Sequence, residues 1–145
     1  MNTESNPVTV TIALPWSAPL LSMNDRGYTR GAAMAKAAKI RELRQTMVAL
    51  AIHHNLPRGL LYATVCLHYQ PRDRRRRDTD NLTATAKPLY DGLASGGKTL
   101  VGYGLVPDDT PEFMAKNEPV IHAPVKGEGG RMWLEITYTA EEEAA

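Results

Sequence analysis

Residues 60–70, LLYATVCLHYQ, constrain the fold more than any other stretch. The run is rich in β-formers and apolar along most of its length, so it reads as a strand buried on most of its length. Other elements must cover it. Upstream, residues 32–55 carry Ile40, Leu43, Met47, Leu50 and Ala51 at the spacing of one helical stripe, with Arg41, Glu42, Arg44 and Gln45 largely off it. Pro57 and Gly59 stop that helix. Downstream, residues 78–94 place Leu82, Ala86, Leu89, Tyr90 and Leu93 on the face of a second helix. Pro88 falls inside it, which predicts a kink or a short helix start.

Three more segments read as strands: 8–16 (VTVTIALPW), 119–125 (PVIHAPV) and 131–139 (RMWLEITYT). The KGEGG between the last two is a hairpin signal. Residues 17–31 and 95–104 read as loops, and the acidic end as a frayed tail. The expected order is β-α-β-α-β-β: an α+β class with a small mixed sheet of about four strands and two main helices. The 145 residues suit one domain, with its core over about 8–139.

With 17 Lys/Arg against 16 Asp/Glu the net charge is +1, so any nucleic-acid contact must come from local clustering. Arg72, Arg74, Arg75, Arg76 and Arg77 provide it, five basic residues within six positions. The single cysteine, Cys66, excludes an intrachain disulfide and reads as a small buried hydrophobe. The first residues lack the basic and apolar regions of a signal peptide, and no apolar run is long enough for a membrane span. A cytoplasmic protein without membrane contact is the expectation. His53, His54, His68 and His122 show no metal-ligand spacing and read as structural or exposed.

GLASGGKT (92–99) matches the phosphate-loop pattern by letter. It follows a helix rather than a strand, so it reads as a flexible helix C-cap with Lys98 near the negative helix end.

Arg77 runs into Asp78-Thr79-Asp80-Asn81. One reading makes Asp78 or Asp80 a helix N-cap. In an extended segment the two carboxylates point to one side, and a hard divalent cation between them is the other reading. Asp108 and Asp109 supply a further acidic pair, either a turn or the source of a third carboxylate. Lys87 lies about two helical turns after Asp80. Together these residues offer metal ligands, a cation for transition-state charge and arginines for phosphates, which is what phosphodiester cleavage requires.

RRRRDTDNL followed by a helix and then LVPDD resembles the RusA family of Holliday-junction resolvases. TIALPW and GGRMWLEIT resemble the family's first and last strands, and the likeness spans roughly residues 8–139. The resemblance implies magnesium, with manganese as the alternative ion, held by Asp78, Asp80 and Asp109. It implies DNA contact through Arg77, beside Arg74, Arg75 and Arg76, which the arginine run itself offers for phosphates. The family's catalytic lysine usually falls where this chain has Ala84, and Lys87 is its stand-in. Asn81, Asp91, Asp108 and Lys98 are secondary candidates, Asp91 matching a family aspartate of a structural kind. Implied further are a homodimer acting on four-way junction DNA and paired symmetric nicks in recombination and repair. A catalytically inactive module binding branched DNA, or a metal nuclease acting on other branched DNA, are the alternatives.

Overall fold

The computed structural model describes residues 6–21, 27–75, 77, 79–96 and 101–139, with the backbone alone at 79–81. Its elements are β1 (Pro7–Ala13), α1 (Arg30–His53), β2 (Ala63–Gln70), α2 (Thr79–Leu93), β3 (Met114–Lys116), β4 (Val120–Ile121) and β5 (Arg131–Thr139). This is an α+β fold with a mixed sheet of five strands.

β2 is the interior strand that its apolar run demands. β5 lies antiparallel on one side of it, from Thr64↔Thr137 to Gln70↔Arg131, and β1 extends the sheet beyond β5. On its other side β3 and β4 pair in parallel, one after the other. The expected hairpin between the last two strands is therefore not formed. β4 pairs with β2 at His68↔Val120 and Tyr69↔Ile121, so β2 separates it from β5. The turn signal survives only as a local turn with Gly127 at φ 85°. β4 is two residues long rather than the expected seven, and β3 is an additional strand.

β3 and β4 leave a gap opposite Leu67. The Tyr90 hydroxyl fills it, accepting the Leu67 N–H at 2.8 Å and donating to the Asn117 carbonyl at 3.2 Å. This satisfies a strand N–H that has no neighbouring strand.

Both helices pack on one face. Leu43, Met47 and Ala51 of α1 and Leu82, Ala86, Leu89 and Leu93 of α2 join Ile12, Val65, Leu67, Met132, Leu134 and Ile136 in one buried cluster. The expected stripe of α2 is buried throughout, whereas Ile40 and Leu50 of α1 are only partly covered. Gly92 lets the helices approach closely, since a Cβ there would meet the Arg44 carbonyl oxygen at 3.0 Å. Thr29 caps α1 by accepting the Ala32 N–H at 3.0 Å. Pro88 does not begin α2, which runs from Thr79 through it. The missing Pro88 N–H leaves the Ala84 carbonyl without its helical donor. Among the described residues no helix is long and apolar enough to cross a membrane.

Candidate functional site

The chain after α2 turns back over the helix end, and this turn builds the site. The last carbonyls of a helix lack intrahelical donors. Here the Tyr103 N–H binds the Gly92 carbonyl at 2.8 Å, and the Gly104 and Leu105 N–H groups bind that of Leu93 at 3.0 and 2.8 Å. Gly102 fits because a Cβ would fall 1.8 Å from the Ala94 carbonyl oxygen. Leu105 and Val106, both fully buried, then anchor the strand-like return. The outcome is that Asp108 and Asp109 arrive beside Asp91, on the last turns of α2.

The Asp91 and Asp109 carboxyls interact directly, each shifting the other's proton affinity. Burial, and then the Asp109 carboxylate, push the Asp91 carboxyl above its ordinary range, so a proton stays longer there. Asp109 is held down to about 2, first by a hydrogen bond from Lys116 and then by Asp91. Lys116 Nζ lies 3.0 Å from Asp109 Oδ2. Arg44 Nη1 and Lys87 Nζ approach Asp91 Oδ2 at 3.7 and 3.8 Å. Asp91 Oδ1 is buried and finds no hydrogen-bond donor among the described residues. Asp108 accepts the Asp109 N–H at 2.8 Å, an Asx contact that shapes the turn.

An acceptor-only oxygen beside a second carboxylate is stabilised by a proton held between the acids or by a cation. These are hard oxygen donors of the kind magnesium takes, but Arg44, Lys87 and Lys116 already lie against them. Among the described residues no three His, Cys, Asp or Glu side chains gather as a ligand set. Asp78 and the side chains of Asp80 and Asn81 lie outside the described residues, as do Arg76 and Lys98. The Asp80 backbone belongs to the first turn of α2. Eleven residues separate it from Asp91, roughly 16 Å of helical rise. Asp109 thus sits with Asp91 at one end of α2, while the backbone of Asp80 and Asn81 occupies the other.

The arginine loop has its own carboxylate. Asp73 accepts from Arg77 Nη2 at 2.8 Å and from the Arg75 N–H at 3.1 Å. Arg77 Nη1 also donates to the Asp73 and Arg75 carbonyls at 2.8 and 2.7 Å. The Arg77 guanidinium holds Asp73 below the usual carboxylate range. Arg77 is thereby committed to the loop, with its side chain 22% exposed. Arg75 is 77% exposed, its Nε 3.5 Å from Asp73. Arg74 is exposed as well.

Sequence reasoning missed three participants. Asp73 stands four residues before Arg77, a spacing that could have signalled the pair. Lys116 and Arg44 carried no signal, because only the packing of β3 and α1 brings them to the acids. The histidines hold another unforeseen contact: His68 Nδ1 lies 2.8 Å from His122 Nε2, although the residues are 54 apart in sequence.

No protein-family model matches the chain, and no curated protein sequence matches it.

Proposed function

We propose that the chain is a magnesium-dependent endodeoxyribonuclease that resolves four-way DNA junctions by paired symmetric nicks, working as a homodimer. The observation that carries this reading is the Asp91–Asp109 pair with its donorless buried oxygen. The exposed arginine loop and the RusA resemblance support it.

Asp109 and Asp91 would hold magnesium at one end of α2, while the Asp80 that the resemblance assigns to the metal starts from a backbone roughly 16 Å of helical rise away, out of reach of the same ion within one chain. Bound magnesium would supply water activation and neutralisation of phosphoryl charge. The chain's own groups do the rest. Arg74 and Arg75 hold backbone phosphates, while Arg77 braces the loop that presents them. Lys87, 73% exposed and one turn before Asp91, meets the DNA between the two ends. The separation of roughly 16 Å along α2 corresponds to about five base-pair steps. Phosphates gripped by the loop would therefore be offset from the cleaved bond. Two-fold symmetry of the dimer would present two such surfaces to a junction of matching symmetry.

The test is cleavage of a four-way junction and of plain duplex, with magnesium and with chelator. Asp109→Asn and Asp91→Asn should each retain junction binding and lose at least about a hundredfold in cleavage rate, on the scale of losing an electrostatic group at a reacting centre. A wild-type protein that binds junctions without cutting them in any divalent ion would establish the inactive binding module instead. Cleavage of flaps in preference to junctions would establish the other nuclease.

A further inference from the structure

α1 is longer than the sheet it covers. Its 24 residues rise roughly 36 Å, against roughly 27 Å for the eight residues of β2. The excess lies at its start. Leu43, Met47 and Ala51 are the buried residues of α1, whereas residues 30–35, 37 and 38 are all exposed. Alanines keep this half helical with little core to pack on. Residues 27–41 hold Arg30, Lys36, Lys39 and Arg41 and no acid, Glu42 being the first. Among the described residues none of these four cations has an ion-pair partner. Arg30, Met34, Ala37 and Arg41 follow one another at steps of four, three and four residues, so they share one face, and all are exposed. The two arginines end that face, roughly 16 Å apart along the axis.

Topology brings this half of α1 to the arginine loop. β1 and β2 both lie antiparallel to β5, and β3 lies parallel to β2, so α1 and α2 each return from the same end of the sheet and run the same way. Gly92 of α2 packs against Arg44 and Met47 of α1. The Leu21 N–H, ahead of α1, binds Thr85 Oγ1 in the first half of α2 at 3.0 Å. Counted back from the Gly92–Arg44 contact, the start of α2 is level with the first turn of α1. The arginine loop leads directly into that start. Arg58, exposed ahead of β2, lies at the opposite end of the sheet.

We infer that the first half of α1 is a second nucleic-acid contact, in which Arg30 and Arg41 take backbone phosphates of a duplex arm beside the arginine loop. This deepens the DNA-binding part of the function proposed above and rests on it. The small residues between the two arginines let a backbone approach closely, and the guanidinium fork matches phosphate geometry. Lys36 and Lys39, on another side of the helix and partly covered, add to the positive potential. Contacts to phosphate carry no sequence information, which suits a protein that selects DNA by shape.

Binding of the full-length chain to a four-way junction across a salt series tests the contact. Arg30→Ala with Arg41→Ala should lower the slope of log affinity against log salt by about 2. Alanine is the strongest helix former, so the variant keeps α1, and its thermal melt by circular dichroism should match wild type. Combined with Arg74→Ala and Arg75→Ala, the loss of slope should reach about 4. Arg58→Ala, at the far end, should leave the slope unchanged. A slope that the α1 pair leaves intact overturns this contact and lets the proposed function stand. A slope that Arg58→Ala lowers as much as Arg41→Ala alone also overturns it, because net charge would then account for the effect. A wild-type chain whose junction affinity does not respond to salt overturns the proposed function and this contact together.

Discussion

Arg75 and Arg77 stand two residues apart and both reach Asp73, but only the Arg77 guanidinium hydrogen-bonds it. Arg77 is spent on Asp73 and on two backbone carbonyls, so it shapes the loop. Arg74 and Arg75 project from that loop into solvent. In the proposed complex the double substitution Arg74→Ala with Arg75→Ala should lower the slope of log affinity against log salt by about 2, through two lost phosphate contacts. Filter binding on a junction across a salt series measures this, and an unchanged slope removes both residues from the interface. The four arginines before Asp78 looked uniform in sequence. Their division of roles follows from Asp73, a single carboxylate that one guanidinium reaches with good geometry.

At the scale of the element, α2 does more than bury a stripe. Its Tyr90 hydroxyl bridges two backbone groups where β3 and β4 leave one edge of β2 uncovered. Tyr90→Phe removes the bridge while keeping the ring, and leaves the Leu67 N–H buried and unpaired. The expected cost is about 1–3 kcal/mol of unfolding free energy, read from urea denaturation. A cost near zero would mean that water replaces the hydroxyl. The helix itself was legible: Leu82, Ala86, Leu89, Tyr90 and Leu93 keep helical spacing and are all buried. Its tolerance of Pro88 was not, because propensity costs a few kcal/mol and the packing of a whole apolar face outweighs it. Nor was the short β3 legible. Three residues carry no periodicity, and only the open edge of β2 makes them a strand.

At the scale of the molecule, the face of the sheet away from the helices gathers His68, His122, Trp133 and Glu135 from separate segments. The Trp133 ring stacks on His68 at 5.3 Å and on His122 at 4.9 Å between centroids. Glu135 Oε2 lies 3.3 Å from His68 Nε2, close enough for attraction but without hydrogen-bond alignment. Burial and the neighbouring His68 hold His122 below its ordinary pKa of 6.5, with Arg131 in the same sense and Glu135 opposing. The folded state then binds this proton less readily than the unfolded state. The contribution to stability is intact above about pH 6.5 and is lost as pH falls toward the lowered folded value. Chemical denaturation from pH 7.5 to 5 should show this decline, and His122→Asn should flatten it. An equal decline in the variant would assign the slope to other groups.

Local sequence pattern was enough for the class of fold, the interior place of β2, the buried face of α2 with most of that of α1, and the composition of the arginine loop. Each is written in local periodicity or in residue type, which short-range sterics and the burial of apolar surface convert directly into structure. Tertiary structure alone decided that β4 lies on the far side of β2 from β5, that Lys116 reaches Asp109, and that His68 meets His122. It also decided that Asp109 joins Asp91 while Asp80 begins the helix about three turns earlier. Those pairings depend on how a rigid helix of fixed rise carries its two ends apart, and on where the return loop satisfies the last carbonyls of α2.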